Sequence, residues 1–161
     1  MSISLRLKQH LDKEGVSYEH HVHPTAYTSQ EIAAVAHIPG REMAKTVILN
    51  GDGKLIMAVL SANDKVDVEA LQQAAGCTSM RLATEDEFRN SFPTCEVGAM
   101  PPFGNIFGLP VYCDAALAGD RWIEFNAGTH HDTIRMAFAD FQRLANPQIV
   151  DLKVHPLRQA G

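Results

Sequence analysis

Met43-Ala44-Lys45-Thr46-Val47-Ile48-Leu49, then Asn50-Gly51-Asp52-Gly53, then Lys54-Leu55-Ile56-Met57-Ala58-Val59-Leu60 is the stretch that decides how this chain folds. Two apolar, β-prone runs flank four residues of turn chemistry, so the spacing predicts a β-hairpin. Lys45 then stands at the head of the first strand, on the face that period-two alternation gives to Val47 and Leu49. A lysine on an apolar face either snorkels to water or meets an anion. Spacing alone leaves both readings open, and the solvated strand end is the commoner.

Toward the N-terminus, Leu5, Leu7 and Leu11 carry helical spacing between Ser4 and Glu14, with Gly15 as the stop. Val16, Tyr18, His20 and Val22 then alternate as a short strand before His23-Pro24. Thr28 and Glu31 stand at capping-box spacing ahead of Ile32, Ala33, Val35 and Ala36, a helix closed by Pro39-Gly40. Beyond the hairpin, Asp67 caps a helix carrying Val68, Leu71 and Ala75, and Thr84 with Glu87 caps a shorter one through Phe88. Met80 to Ala83 reads as a strand between them. Past Pro93 the chain is irregular through Gly98 to Gly104, then strand-like over Pro110 to Cys113, Trp122 to Ala127 and Thr133 to Phe138. A helix near Asp140 to Leu144 follows. Short helices among strands, without regular βαβ alternation, indicate an α+β (mixed α/β) fold.

The chain has 161 residues, 45% hydrophobic and 20% charged. One domain over residues 1–161 is expected, with residues 153–161 a loose tail. A domain of this length buries roughly 70% of its unfolded surface and needs no disulfide or structural metal. No apolar run approaches the ~20 residues of a membrane span, and no leader pattern precedes the first helix, so a soluble cytoplasmic protein is expected. Cys77, Cys95 and Cys113 are widely spaced and read as reduced and structural. A net charge of -5 argues against a protein that coats nucleic acid, though not against one that grips an RNA end.

Whole reaction classes lose ground because the chain has no G-x-S-x-G elbow, Walker loop, G-x-G-x-x-G or H-E-x-x-H. His20-His21-x-His23 and His130-His131-Asp132 would surround a metal only if they met in space. On a strand His20 and His21 point to opposite faces, so a solvated histidine cluster is the simpler reading. In the loop Gly98-Ala99-Met100-Pro101-Pro102-Phe103-Gly104 two prolines lack N–H groups, so no regular ladder forms. The amides of Gly98, Ala99 and Met100 either donate to a carbonyl or its oxyanion, or the loop is a rigid proline turn.

Met43 to Leu49, then Cys95-Glu96-Val97-Gly98-Ala99-Met100-Pro101-Pro102-Phe103-Gly104, then Phe125-Asn126-Ala127-Gly128 followed by Thr133 to Phe138 resemble the ordered signatures of the YbaK/prolyl-tRNA-synthetase-associated editing family. The resemblance spans nearly the whole chain, and Thr28 to Ala36 is similar to the family's early helix. It implies a strongly curved, mostly antiparallel mixed sheet with surrounding short helices. It also implies hydrolysis of the ester of a mischarged tRNA carrying a small amino acid, with no metal and no cofactor. The family's lysine falls on Lys45, which would orient the substrate's 3′ end; its Gly-x-x-x-Pro motif falls on Gly98 and Pro102. Gly98 with the amides of Ala99 and Met100 would hold the carbonyl, Pro102 would stiffen the loop, and the substrate's vicinal ribose hydroxyl would help activate water. Thr28, Asn126 and Asp132 would bind or support substrate, capping or turn formation being the alternative for each. Thr129-His130-His131-Asp132 departs from the basic or small residues of many relatives. The implied partners are the acceptor end of mischarged tRNA and, transiently, an aminoacyl-tRNA synthetase, with no membrane and no DNA. Two rivals stand beside this reading: a non-catalytic module for an RNA end or aminoacyl group, and a histidine-based metal-dependent hydrolase.

Overall fold

The computed structural model describes residues 4–24, 42–93 and 95–155. The helix expected over Thr28 to Ala36 lies outside them. Helix α1 (Leu5–Glu14) buries Leu7 and Leu11 and ends at Gly15. Strand β1 (Tyr18–Val22) follows, and the hairpin forms as β2 (Ala44–Gly51) and β3 (Lys54–Ser61), paired antiparallel with Gly51 opposite Lys54. Its two-residue turn has positive φ at Asp52 (53°) and Gly53 (87°), the conformation whose twist matches that of the strands. Asp52 is further held by the N–H and hydroxyl groups of Thr78 and Ser79, which lower its pKa to about 2.

Of the three predicted caps, the two that fall within the described residues form. Asp67 accepts the Ala70 N–H at the start of α2 (Val68–Ala75), and the Thr84 and Glu87 side chains exchange bonds with each other's backbone at α3 (Glu85–Phe88). Between them β4 (Met80–Leu82) pairs with β2. The later strands are β5 (Val111–Asp114), β6 (Trp122–Asn126), β7 (Asp132–Ala137) and β8 (Gln148–Val150), with helices α4 (Ala115–Ala118) and α5 (Phe138–Ala145). The sequence reading contained neither α4 nor β8. Asp114 explains both, because one of its carboxylate oxygens caps α4 through Ala116 and the other accepts the Leu152 N–H just past β8.

The strands form two sheets, β1-β7-β6 and β4-β2-β3-β5-β8. The β3–β5 and β5–β8 joints are parallel and the other ladders antiparallel, in keeping with a mostly antiparallel α+β fold. The sheets meet at a seam, where Met43 forms a parallel bridge with Glu124 and the Glu124 N–H donates to Glu42 O at 3.1 Å. Each face of the five-stranded sheet covers its own apolar cluster. Ala44, Ile48, Met57 and Val59 belong to the larger, and Leu49, Ile56 and Ala58 pack with Leu71, Tyr112 and Leu152 in the smaller. Past β8 the chain stays attached beyond the point where a loose tail was expected: Lys153 bridges Val66, and the Val154 N–H donates to Lys65 O at 2.9 Å. The three cysteines are free thiols, and burial with Asp114 alongside pushes Cys113 up to about 12.

Phe103 sits at the centre of the larger cluster. It is fully buried, with ring centroids 5.6 Å from Phe125 of β6, 5.3 Å from Phe141 of α5 and 6.1 Å from His10 of α1. Burying a side chain of this size contributes roughly 1.5–3 kcal/mol. Because Phe103 directly follows Pro101-Pro102, the same burial fixes one end of the irregular loop.

Candidate active site

The loop's other end is fixed by backbone. The Glu96 N–H donates to Gly128 O at 2.7 Å, and the Gly128 N–H returns to Ala99 O at 2.9 Å. Gly128 is itself required: its φ is 105°, and a Cβ there would lie 2.9 Å from Ser4 Cβ. The N–H of Ser4 donates to Ala127 O at 2.6 Å, so the start of α1 braces the turn that braces the loop.

The amides expected to be free are only partly so. The Gly98 N–H donates to Met100 Sδ at 3.1 Å, and the Ala99 N–H to Glu96 O at 3.1 Å. Thioether sulfur is a weak acceptor, so the Gly98 donor is easily redirected. Among the described residues the Met100 N–H has no partner. Gly98 is exposed with φ 88°, and a Cβ there would touch His130 Cε1 at 3.4 Å. His130 Nε2 donates to Val97 O at 2.9 Å, so this imidazole forms the wall behind Gly98. Pro101 and Pro102 are buried, holding the turn between Met100 and Phe103.

Lys45 is half-buried at the head of β2, on the side of Val47 and Leu49 but beyond the last apolar contact. Among the described residues its ammonium has no hydrogen bond or ion pair. Burial holds its pKa below the ordinary lysine value, Asp64 opposes that and Lys65 adds to it. A half-buried cation that makes no hydrogen bond or ion pair among the described residues is suited to an anionic or strongly polar ligand. Bridged residues put their side chains on one side of a ladder, so Met43 and Glu124 share a face, continued two residues on by Lys45 and Asn126. That face is buried and polar: Glu124, Asn126 and Thr133 are 3%, 6% and 0% exposed. Thr133 donates to Glu124 Oε2 at 2.7 Å, and His21 Nδ1 donates to the same oxygen at 2.9 Å. Sequence reasoning missed Glu124, since an acid between core residues Ile123 and Phe125 reads as an ordinary solvated position until the seam buries it.

His20 and His21 do fall on opposite faces. His20 Nε2 donates to Asp132 Oδ1 at 2.6 Å, while Asp132 Oδ2 accepts the Thr129 hydroxyl at 2.5 Å and lies 3.3 Å from His131 Nε2. Thr129 Oγ1 in turn accepts the Asp132 N–H at 3.0 Å. The carboxylate is thus occupied by the chain's own donors and ties the β6–β7 turn to β1. Among the described residues no three His, Cys, Asp or Glu side chains are arranged to hold a metal ion. Thr28 lies outside the described residues. A cavity of about 670 Å³ opens at the opposite end of the hairpin, by Asp52, Cys77 and Pro110, away from all the residues above.

Burial pushes the Asp132 pKa up, but the Thr129 and His20 hydrogen bonds and the nearby His131 pull it down further, leaving it below 3.8. A lowered carboxyl pKa stabilises the fold above the unfolded value, and that contribution is lost as pH falls through the folded value. Asp132→Asn should therefore lower stability by about 1–3 kcal/mol near neutrality. The gap in melting temperature should narrow below pH 4. An equal gap at every pH from 7 to 2 would show that the charge plays no part.

Residues 23–144 match the family model described as an aminoacyl-tRNA editing domain. The chain is 26% identical, over 92% of its length and 91% of the relative's, to the multifunctional Ser/Thr-tRNA deacylase ProXp-y of Escherichia coli strain K12. It is 29% identical over 56% of its length to a proline–tRNA ligase of Heliobacterium modesticaldum, of which it spans 16%. In fold it is similar to a crystal structure described as a candidate trans-editing enzyme for prolyl-tRNA synthetase, with a TM-score of 0.80 at 23% identity over 93% of this chain and 96% of that one. A second solved structure, of an uncharacterised protein, gives a TM-score of 0.83 at 16% identity over 92% and 99%. With three quarters of its length covered by the family model, and with the loop, lysine strand and turn disposed as above, the chain belongs to the aminoacyl-tRNA editing domain family.

Proposed function

We propose that this chain is a trans-editing deacylase that hydrolyses the ester of a tRNA mischarged with a small amino acid. The observation that carries the reading is Lys45, a half-buried ammonium that is neither hydrogen-bonded nor ion-paired among the described residues, where the sequence resemblance puts the family's lysine. In this reading Lys45 orients the 3′-terminal nucleotide. The Met100 N–H, joined by that of Gly98 once it leaves the Met100 sulfur, donates to the carbonyl oxygen as it becomes an oxyanion. Water adds to the carbonyl carbon, the bond to the ribose oxygen breaks, and the water's proton ends on that oxygen, with the vicinal ribose hydroxyl as its relay. No protein nucleophile is needed because the aminoacyl ester is already activated. The biological need is a second pocket: synthetases discriminate poorly between side chains that differ by a methylene, worth ~1–3 kcal/mol. Action in the cytoplasm, with transient association with a synthetase, follows from the substrate.

Deacylation screened across a panel of mischarged tRNAs tests the reading. At least one small-aminoacyl ester should be hydrolysed at an EDTA-insensitive rate. Binding without hydrolysis would favour the recognition module, and activity lost in chelator and restored by metal would favour the hydrolase rival.

With a net charge of -5, affinity for tRNA should rest on a few cations near the pocket, Lys45 among them. Each phosphate neutralised contributes roughly -0.7 to -0.9 to the log–log salt slope, so two or three contacts give a shallow one. Intact tRNA and an acceptor-stem mimic should then give similar slopes. A steep slope seen only with intact tRNA would show extensive contacts along the tRNA body.

A further inference from the structure

We propose that Asn126 and Glu124 form a subsite for the α-ammonium group of the esterified amino acid, an assignment that rests on the deacylase reading. Asn126 Oδ1 is buried and has no hydrogen-bond partner among the described residues. A buried amide oxygen without a donor is costly, and a fold tolerates it where a ligand supplies the donor. The acyl end of the substrate offers two kinds of donor, the ribose hydroxyl and the ammonium with its three N–H groups.

Glu124 decides between them. It stands two residues before Asn126 on the same face of β6 and is 3% exposed, so its charge acts on whatever approaches Asn126 with little screening by water. Thr133 and His21 both donate to its Oε2, and no described residue donates to its Oε1. Arg135 lies opposite Glu124 in the β6–β7 ladder but turns elsewhere: its guanidinium is 3.7 Å from Glu42 and stacks 5.0 Å from the Trp122 ring centroid. The carboxylate is thereby held in position without an arginine counter-ion among the described residues. A buried acceptor beside such a carboxylate selects a cationic donor over a neutral hydroxyl. Lys45, on the other side of the seam, serves the anionic end of the substrate, so the two ends of the aminoacyl-adenosine are read by opposite charges.

The subsite makes the enzyme specific for esters with a free amino group. The experiment compares hydrolysis of the best aminoacyl-tRNA with its near-isostere in which a hydroxyl replaces the ammonium, each rate divided by that ester's spontaneous hydrolysis. Wild type should favour the amine about 10- to 100-fold in kcat/KM, the range for a hydrogen bond to a charged group. In Asn126→Leu and in Glu124→Gln the preference should collapse to within about three-fold. Asn126→Leu should also melt no lower than wild type, because it removes an unmatched buried acceptor; a residue with a merely structural role would lose stability. Equal wild-type rates on the two esters, or a preference retained in Asn126→Leu, would overturn the subsite while leaving the deacylase reading intact. Wild type hydrolysing neither ester nor any other in the panel would instead remove the reading on which it rests.

Discussion

Lys45→Ala is expected to lower deacylation by about 30- to 1,000-fold, the roughly 2–4 kcal/mol lost when one side of a desolvated charged contact is truncated. Its melting temperature should be unchanged or slightly higher. The two expectations have one cause: the ammonium is half-buried, and among the described residues it is neither hydrogen-bonded nor ion-paired, so removing it relieves desolvation without breaking a contact. The pH dependence has a definite sign. Burial, set against Asp64 and joined by Lys65, lowers the lysine's folded pKa below 10.5, so over that interval the unfolded chain holds the extra proton and stability gains as pH rises. The penalty is fully present below the folded value and is relieved as pH approaches 10.5. That alkaline gain should disappear in Lys45→Ala, and wild-type activity should fall at a lower pH than an ordinary lysine would impose. Rates on the best substrate and thermal melts from pH 7 to 10.5 test both parts. A fully active mutant, or one that is simply unfolded, would remove Lys45 from the site.

Gly98→Val should reduce single-turnover rates by about 10²- to 10³-fold, the scale of losing one donor to a developing oxyanion. At φ 88° a β-branched residue is strained by sterics alone. Beyond that, the Cβ would already touch His130 Cε1 at 3.4 Å, so the γ-methyls must push against the imidazole that donates to Val97 O. Relief of either strain moves the backbone between Val97 and Met100, and with it the amide assigned to the carbonyl. Gly98 is exposed, so the fold should survive with only a modest loss, and tRNA binding should persist. Gly98→Ala should fall between the two because it carries the φ cost, about 1–2 kcal/mol, without the γ-methyls. Wild-type single-turnover rates in the valine variant would show that this backbone does not approach the reacting carbonyl.

What the sequence determined by itself is local. Asn50 to Gly53 sets the hairpin, Asp67 and the Thr84–Glu87 pair set two helix starts, Gly15 sets a stop, and alternation sends His20 and His21 to opposite faces. Each signal is complete within about four residues, because turns, caps and side-chain alternation are satisfied by near neighbours. Lys45, Gly98 and Pro102 were singled out by the resemblance of short motifs, since their spacing alone left a solvated strand end and a rigid proline turn open. The tertiary structure decided the rest. The three-residue β8 is too short to announce itself, and its parallel pairing with β5 depends on a partner far along the chain. Asp132 carries no mark that it will receive His20 from 112 residues away, nor do the Gly98 and Ala99 amides show that sulfur and Glu96 will occupy them. Glu124 and Asn126 alternate with core residues as solvated positions would, and only the bridge from Met43 puts them in a buried polar seam. Burial is a property of the assembled sheets rather than of neighbours in sequence, so the buried polar seam around Glu124 and Asn126 becomes visible only once those sheets meet.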